Sequence, residues 1–342
     1  MSDTALQDNP EPANRPRPPA DSLAALPGDY LALMKPRVMS LVVFTALAGY
    51  VAAPGAGDLV LGFVSILAIA CGAGAAGALN MWYDADIDAK MVRTRGRPVP
   101  AGRVPKDEAL MLGLMVSGLS VLMMALAGGT FAAVLLAFTI WFYAVVYTMW
   151  LKRRTAQNIV IGGLAGALPP AVAWAAKTGG LSLDPAILVA IIFFWTPPHF
   201  WALCLYQKGD YAAAGVPMLP VTRGPKAARL QILLYALVMA PLGFVPVLTG
   251  LGGGLYAVAA GLGGALFVLL AVRVFASRAG ESGAVGDADL YAVQRGDKAA
   301  RDLFAFSIGY LFCLFAALLV EHGAGLHWAT PFVMPALAGG GA

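Results

Sequence analysis

The chain has 342 residues, of which 59% are hydrophobic and only 12% charged, and its mean hydropathy is +0.74. Soluble domains carry roughly twice that charge, about 25%, so composition argues against a cytosolic enzyme, a disordered polymer or a collagen-like fibre and points to lipid as the main solvent. The net charge of +4 does not signal nucleic acid, because no soluble module is available to carry a basic face.

Residues 1–29 are rich in Pro, Ala and acid, with Asp3, Asp8, Glu11, Asp21 and Asp29 against Arg15 and Arg17. A transit peptide is Arg-rich and acid-poor and a secretory signal needs an apolar core, so a disordered cytoplasmic tail is expected here. A bilayer core about 30 Å thick takes roughly 20 apolar residues per helix. Stretches near that length run at 38–53, 59–80, 108–126, 131–150, 159–176, 185–206, 228–249, 254–274 and 303–320. The expectation is an all-α, polytopic membrane domain over residues 30–322 with about nine transmembrane helices, followed by a short periplasmic tail over 323–342. Long continuous apolar runs without alternation favour helices over a barrel.

With the N-terminus in the cytoplasm, every Lys and Arg except Lys177 falls in an inner segment, as the positive-inside rule requires. A bacterial inner membrane, with the active site facing the cytoplasm, is the expected location. Cys71, Cys204 and Cys313 stand singly in apolar runs, without the spacing of a zinc site, a haem attachment or a disulfide framework. Gly162 and Gly166 mark a small-residue stripe expected to serve close helix packing.

The second span ends in Asn80, Asp84, Asp86 and Asp88, followed by Arg93, Arg95 and Arg97. Asn80, Asp84 and Asp88 recur every four residues and share one helix face, about 6 Å apart along the axis, with Asp86 on the other side. Oxygen ligands at this spacing suit Mg²⁺, which takes one or two carboxylates and completes its shell with water and phosphate. An anionic diphosphate would then be held by the metal, with the arginines compensating the remaining charge. The sixth span ends in Tyr206, Lys208 and Asp210 on the same side, a second acidic cluster for the other end of the same group. Lys152, Arg153 and Arg154 close the fourth span as phosphate ligands or as a stop-transfer signal.

Asn80, Asp84 and Asp88 match the NxxxDxxxD signature of the intramembrane prenyltransferases, and the chain resembles that family. Its second signature, DxxxD, has Tyr206 in the first position and Asp210 in the last. The strings TPPHFWAL (196–203) and GVPMLP (215–220) resemble the haem-prenylating branch, whereas the acid row alone is shared with enzymes that prenylate aromatic quinone precursors. The resemblance implies addition of farnesyl diphosphate and water across a vinyl group of haem b, giving haem O, with haem b as substrate and Mg²⁺ as cofactor. It implies catalytic roles for Asp84, Asp88 and Tyr206, and metal ligation by Asn80, Asp84, Asp88 and Asp210. Diphosphate binding falls to Arg93, Arg95, Arg97, Lys152, Arg153 and Lys208. The partners are the lipid bilayer and a heme A synthase that consumes the product, with no nucleic acid.

His199 follows Pro197 and Pro198, which should break helical hydrogen bonding. It is a candidate for haem iron or for positioning the captured water; the structural alternative is a buried histidine satisfying the freed carbonyls. His322 and His327 fall on the outer side. The polar loop 275–302 is a lid or a solvated linker. A transporter would carry its acids near the middle of the bilayer, whereas Asp84, Asp88 and Asp210 lie at helix ends.

Overall fold

The computed structural model describes residues 25–282 and 293–326. The expected N-terminal tail lies outside the described residues up to residue 24, and the expected C-terminal tail does so from residue 327, which includes His327. Of the expected tail, residues 27–29 already belong to a helix, Pro27–Leu33.

The described residues form helices and no strands: α1 (Pro27–Leu33), α2 (Pro36–Ala52), α3 (Leu59–Tyr83), α4 (Ala85–Asp88), α5 (Lys106–Trp141, wound on as a π-helix over Phe142–Leu151), α6 (Asn158–Ala167), α7 (Pro169–Thr178), α8 (Leu183–Tyr206), α9 (Lys208–Ala213), α10 (Leu219–Thr222), α11 (Gly224–Thr249), α12 (Gly254–Ala276) and α13 (Lys298–Gly323). Seven helical segments are long and apolar enough to cross a membrane, or eight if α1 and α2, bent by 53°, count as one. The third and fourth expected spans fall in one segment of 46 residues, Lys106–Leu151. Gly129 interrupts it with φ 83° and ψ 170°, a backbone that glycine adopts without a Cβ clash.

Small residues let the helices approach closely. A Cβ on Gly49 would lie 2.6 Å from the Pro170 carbonyl oxygen, which sets the contact of α2 with α7, and one on Gly113 would meet the Leu79 side chain at 2.7 Å, where α5 crosses α3. The Gly162/Gly166 pair divides its roles: Gly162 lies against the Tyr147 ring, whereas Gly166 faces open space and lines a cavity. The double proline does not break α8, which runs unbroken from Leu183 to Tyr206. Nor does His199 satisfy the carbonyls freed there, since its Nδ1 goes to Ser307 on α13.

The two ends of the bundle differ chemically. At one end Lys177 donates to the Ala53 carbonyl at 2.6 Å, and His322 Nε2 lies 2.8 Å from the Leu251 carbonyl. Glu321 is buried there and accepts from the Gly253 and Tyr256 backbone N–H groups at 2.7 and 3.0 Å, so a carboxylate from α13 caps the positive N-terminus of α12. The acids of the NxxxDxxxD row lie at the other end, where α3 terminates. Part of the 275–302 loop is fastened near that end: Asp297 accepts from the Gly280 N–H at 2.6 Å and Arg229 donates to the Ala279 carbonyl at 2.8 Å. Replacing Glu321 by Ala leaves two backbone N–H groups without a partner and should destabilise the fold by about 1–3 kcal/mol. Thermal unfolding in detergent checks this, and an unaltered Tm would contradict the capping role.

Candidate active site

Helix α3 ends at Tyr83, and the chain bends at Asp84 (φ −86°, ψ 7°) before α4. The i→i+4 ladder nevertheless continues, with Asp84 N–H on the Asn80 carbonyl at 2.9 Å and Asp88 N–H on the Asp84 carbonyl at 2.8 Å. Asn80, Asp84 and Asp88 therefore keep one face, and all three are buried, the two carboxylates completely. The Asp86 side chain is 55% exposed, on the opposite side as its spacing requires.

Each buried carboxylate is held from another segment. Lys152 Nζ donates to Asp84 Oδ2 at 2.5 Å and Arg97 Nη1 to Asp88 Oδ2 at 2.6 Å. The π-helical winding matters here: Lys152 N–H bonds the Tyr147 carbonyl five residues back at 2.9 Å, and the wider turn brings Thr148 and Lys152 onto the row together. Asn80 organises the row, donating to Asp84 Oδ2 at 2.7 Å and to Thr148 Oγ1 at 3.0 Å and accepting from Lys35 Nζ at 2.6 Å. With its amide oxygen taken by Lys35, Asn80 orients Asp84 in this state. Arg153 spans both sides of the helix end: it grips Asp86 with two hydrogen bonds of 2.7 and 2.8 Å, covers the Tyr83 ring, and stands 3.5 Å from Asp84 Oδ1. Those bonds hold the Asp86 carboxyl down to about 2. A lowered carboxylate favours the folded state above its ordinary range and loses that contribution only as pH falls through about 2; water screens most of it at this exposure.

The second cluster meets the first through the loop that follows α4. Thr94 Oγ1 donates to the Asp88 carbonyl at 2.9 Å, fastening the loop to the acid row. The next residue back, Arg93, donates its backbone N–H to Asp210 Oδ2 at 3.4 Å and its Nη2 to the Tyr211 hydroxyl at 3.3 Å. Burial pushes the Tyr211 phenol up, so it accepts that bond as a neutral group. Asp88 and Asp210 are thus fastened to adjacent residues of one loop. Tyr206 and Asp210 do not share one helix, because α8 ends at Tyr206 and α9 begins at Lys208; Tyr206 is buried edge-on to Phe304.

Of the expected diphosphate ligands, Arg93, Arg97, Lys152 and Arg153 reach the two clusters. Arg95 is exposed, and Lys208 Nζ lies on the Gly280 carbonyl at 3.4 Å, so neither joins the acids. Lys35 and Thr148 join the site beyond the sequence expectation. The only signal for Lys35 was a basic residue just before the first span; a lone threonine in an aromatic run gave none for Thr148.

The donor set fits a divalent cation with bound phosphate. Asp84 Oδ1, Asp88 Oδ1 and Asp210 Oδ1 are buried and accept no hydrogen bond, with the Arg153 guanidinium 3.5 Å from Asp84 Oδ1, so one oxygen of each carboxylate keeps its lone pairs for a ligand. Among the described residues no three His, Cys, Asp or Glu side chains converge to cage an ion by themselves. That is the usual economy of Mg²⁺, which leaves coordination positions for water and phosphate oxygens. Beneath the acids an apolar cavity of about 70 Å³ is lined by Met39, Ile69, Leu136, Tyr143, Gly166 and Val172, among others.

A family model described as the UbiA prenyltransferase family matches residues 41–287. A protein named protoheme IX farnesyltransferase from Maricaulis maris is 63% identical over 311 residues, 91% of this chain and 94% of its own. The protein of that name from Caulobacter vibrioides is 63% identical over 305 residues, covering 87% and 92%. Among solved structures, a UbiA homolog from Archaeoglobus fulgidus bound to GPP and Mg²⁺ superposes with a TM-score of 0.60 at 16% identity, covering 84% of this chain and 99% of that one. A digeranylgeranylglyceryl phosphate synthase gives a TM-score of 0.68 at 15% identity, covering 86% and 98%. At these identities the structural likeness concerns the fold.

Asp84→Ala and Asp88→Ala should each abolish prenyl transfer, whereas Asp86→Ala should retain activity within about tenfold, since it removes only a solvent-screened pair. Turnover in isolated membranes, normalised to folded protein, measures this; equal losses for all three would contradict the one-face arrangement.

Proposed function

The chain belongs to the UbiA prenyltransferase family, and we propose that it transfers the farnesyl group of farnesyl diphosphate to a vinyl group of haem b, with addition of water, to give haem O and diphosphate. The substrates are those for which the relatives are named, proteins that share 52–63% identity with this chain over most of its length. The observation that carries the reading is the set of carboxylate oxygens that accept no hydrogen bond, surrounded by Lys35, Arg93, Arg97, Lys152 and Arg153, with an apolar cavity deeper along α3.

Asp84 and Asp88 would hold one Mg²⁺ and Asp210 a second on the other side of the diphosphate, with Asn80 joining the first pair when Lys35 turns to phosphate. When bound, the metal neutralises charge on the departing diphosphate. Lys152 and Arg97 are already fixed at the carboxylates, so little reorganisation is needed as negative charge builds on the leaving group. Arg93 and Arg153 close its two sides; Arg95 and Lys208 lie outside this ring and meet the headgroup only as it arrives. The allylic cation released by C–O cleavage needs a dry lining, which Ile69, Leu136 and Val172 provide, while the Tyr143 ring offers a π face to the positive charge. At about 70 Å³ this chamber takes only part of a farnesyl chain. Met39 also lines a larger groove of about 540 Å³, bounded by Leu31, Phe44, Leu47 and Leu67 of α1–α3, through which the rest of the tail lies toward lipid. Tyr206, buried beside Asp210, bounds the haem side, and the vinyl carbon's π electrons attack the cation there before water captures the porphyrin side chain.

We count Lys106–Leu151 as two spans, because a helix of 46 residues at 1.5 Å per residue would be about 69 Å long, twice the hydrocarbon core, and Gly129 breaks it. With the bent α1–α2 pair this gives nine spans, the acids at the cytoplasmic face of a bacterial inner membrane, and Lys177 and Glu321 at the periplasmic face. A heme A synthase is the partner that takes up the product.

Membranes containing the protein, incubated with farnesyl diphosphate, haem b and Mg²⁺, should yield a hydroxyethylfarnesyl haem by mass spectrometry, and excess chelator should stop it. Prenylation of an aromatic acid instead, or undiminished activity in chelator, would contradict the proposal. Gly166→Leu, which fills the cavity floor, should lower turnover with farnesyl diphosphate far more than with a shorter allylic donor; equal losses would remove the cavity from the tail's path.

A further inference from the structure

His199 lies on α8, seven residues before Tyr206, or about 10 Å deeper along the helix axis. Its imidazole is clamped between two rings: Trp195 stacks on one face at 4.2 Å and 17°, and Phe304 on the other at 4.7 Å and 23°. Phe304 also meets Tyr206 edge-on at 6.1 Å, so the clamp is continuous with the wall of the acid site. Trp195 is itself fixed, its Nε1 donating to the Ser307 carbonyl at 2.8 Å.

The hydrogen-bond inventory determines the tautomer. Ser307 Oγ donates its one proton to the Phe304 carbonyl at 2.6 Å. The 2.7 Å contact between Ser307 Oγ and His199 Nδ1 is then one in which the imidazole donates. Nδ1 carries the proton, and Nε2 keeps a lone pair; among the described residues nothing hydrogen-bonds to Nε2. With both faces covered and Nδ1 engaged, the side chain of this half-buried residue keeps only the edge bearing Nε2 for a ligand. An imidazole with Nδ1–H tied to an oxygen and Nε2 free is the arrangement that binds a metal in an open coordination position. Satisfying backbone carbonyls, the ordinary use of a buried histidine, is not what this one does.

We propose that His199 ligates the iron of the haem substrate through Nε2, and that Ser307 is the positioning residue that fixes its tautomer and ring angle. This rests on the assignment of haem b as the prenyl acceptor. The Nε2 lone pair enters an open axial position of the iron, so no proton moves and no oxidant is needed. An iron held by a residue about 10 Å deeper along α8 than Tyr206 leaves the vinyl edge of the macrocycle to reach toward the carbon released by the diphosphate, so ligation sets which edge of the porphyrin faces the cation.

The full-length protein in nanodiscs, loaded with ferrous haem b and no prenyl donor, should show an iron–histidine stretch by resonance Raman. His199→Phe, which keeps an aromatic ring in the stack, should lose that band, and added imidazole should restore it. Ser307→Ala should keep the band, shift it to lower frequency and weaken haem affinity roughly tenfold. A wild-type protein that binds haem without the band, or a band that survives in His199→Phe, overturns the ligation. An unshifted band in Ser307→Ala overturns the positioning role and is readable even if His199→Phe fails to fold. A wild-type protein that binds no haem overturns the acceptor assignment instead.

Discussion

Two carboxylates with no exposed surface stand at the end of a membrane helix, each tied through one oxygen to a cation from another part of the chain. Lys152 holds Asp84 and Arg97 holds Asp88. Leaving a buried charge unpaired costs about 3–5 kcal/mol, so the rest of this end of the molecule is constrained to bring those cations in. The loop after α4 folds back on itself to present Arg97, the last turns of α5 wind as a π-helix to present Lys152, and α1 meets α2 at a left-handed lysine, φ 52°, whose ammonium group reaches Asn80. A non-glycine residue in that conformation is uncommon, and its cost is tolerated where function requires it.

The same pairing leaves the second oxygen of each carboxylate without a hydrogen bond, although Arg153 stands 3.5 Å from that of Asp84. Each carboxylate is compensated by a cation yet keeps one oxygen that accepts no hydrogen bond, so the site can fold and still offer ligand atoms to a metal. Asp210 repeats the pattern with a weaker partner, the Arg93 backbone N–H. Because Thr94 fastens the loop to Asp88 while Arg93 fastens it to Asp210, the loop couples two helix ends that are more than a hundred residues apart in sequence. A polar rim of this kind above a dry chamber suits a reaction whose leaving group is highly charged and whose electrophile must be kept from water.

Much of this was legible in the sequence because it follows from periodicity. Residues 80, 84 and 88 had to share a face and residue 86 had to oppose them, and the apolar run lengths gave most of the helices. What was not legible depended on how the backbone departs from regular geometry. Lys208 is near Asp210 in sequence, yet the break at Gln207 turns it to the Gly280 carbonyl. The two prolines in α8 read as a break, but the helix continues through them. Lys35 and Thr148 were invisible because their roles depend on a left-handed residue and a π-turn, neither of which leaves a mark in composition. His199 was visible only as a question, since its tautomer depends on a serine on another helix.

We propose that the carboxylates of α3–α4 and of α9 serve one metal–diphosphate site. Pulsed electron–nuclear double resonance on the protein loaded with Mn²⁺ and a non-reacting farnesyl diphosphate analogue tests it most directly. A ³¹P coupling on bound manganese that is lost in Asp84→Asn and weakened or lost in Asp210→Asn is the result predicted. An Asp210→Asn protein that holds the metal and the analogue as the unaltered chain does would contradict it.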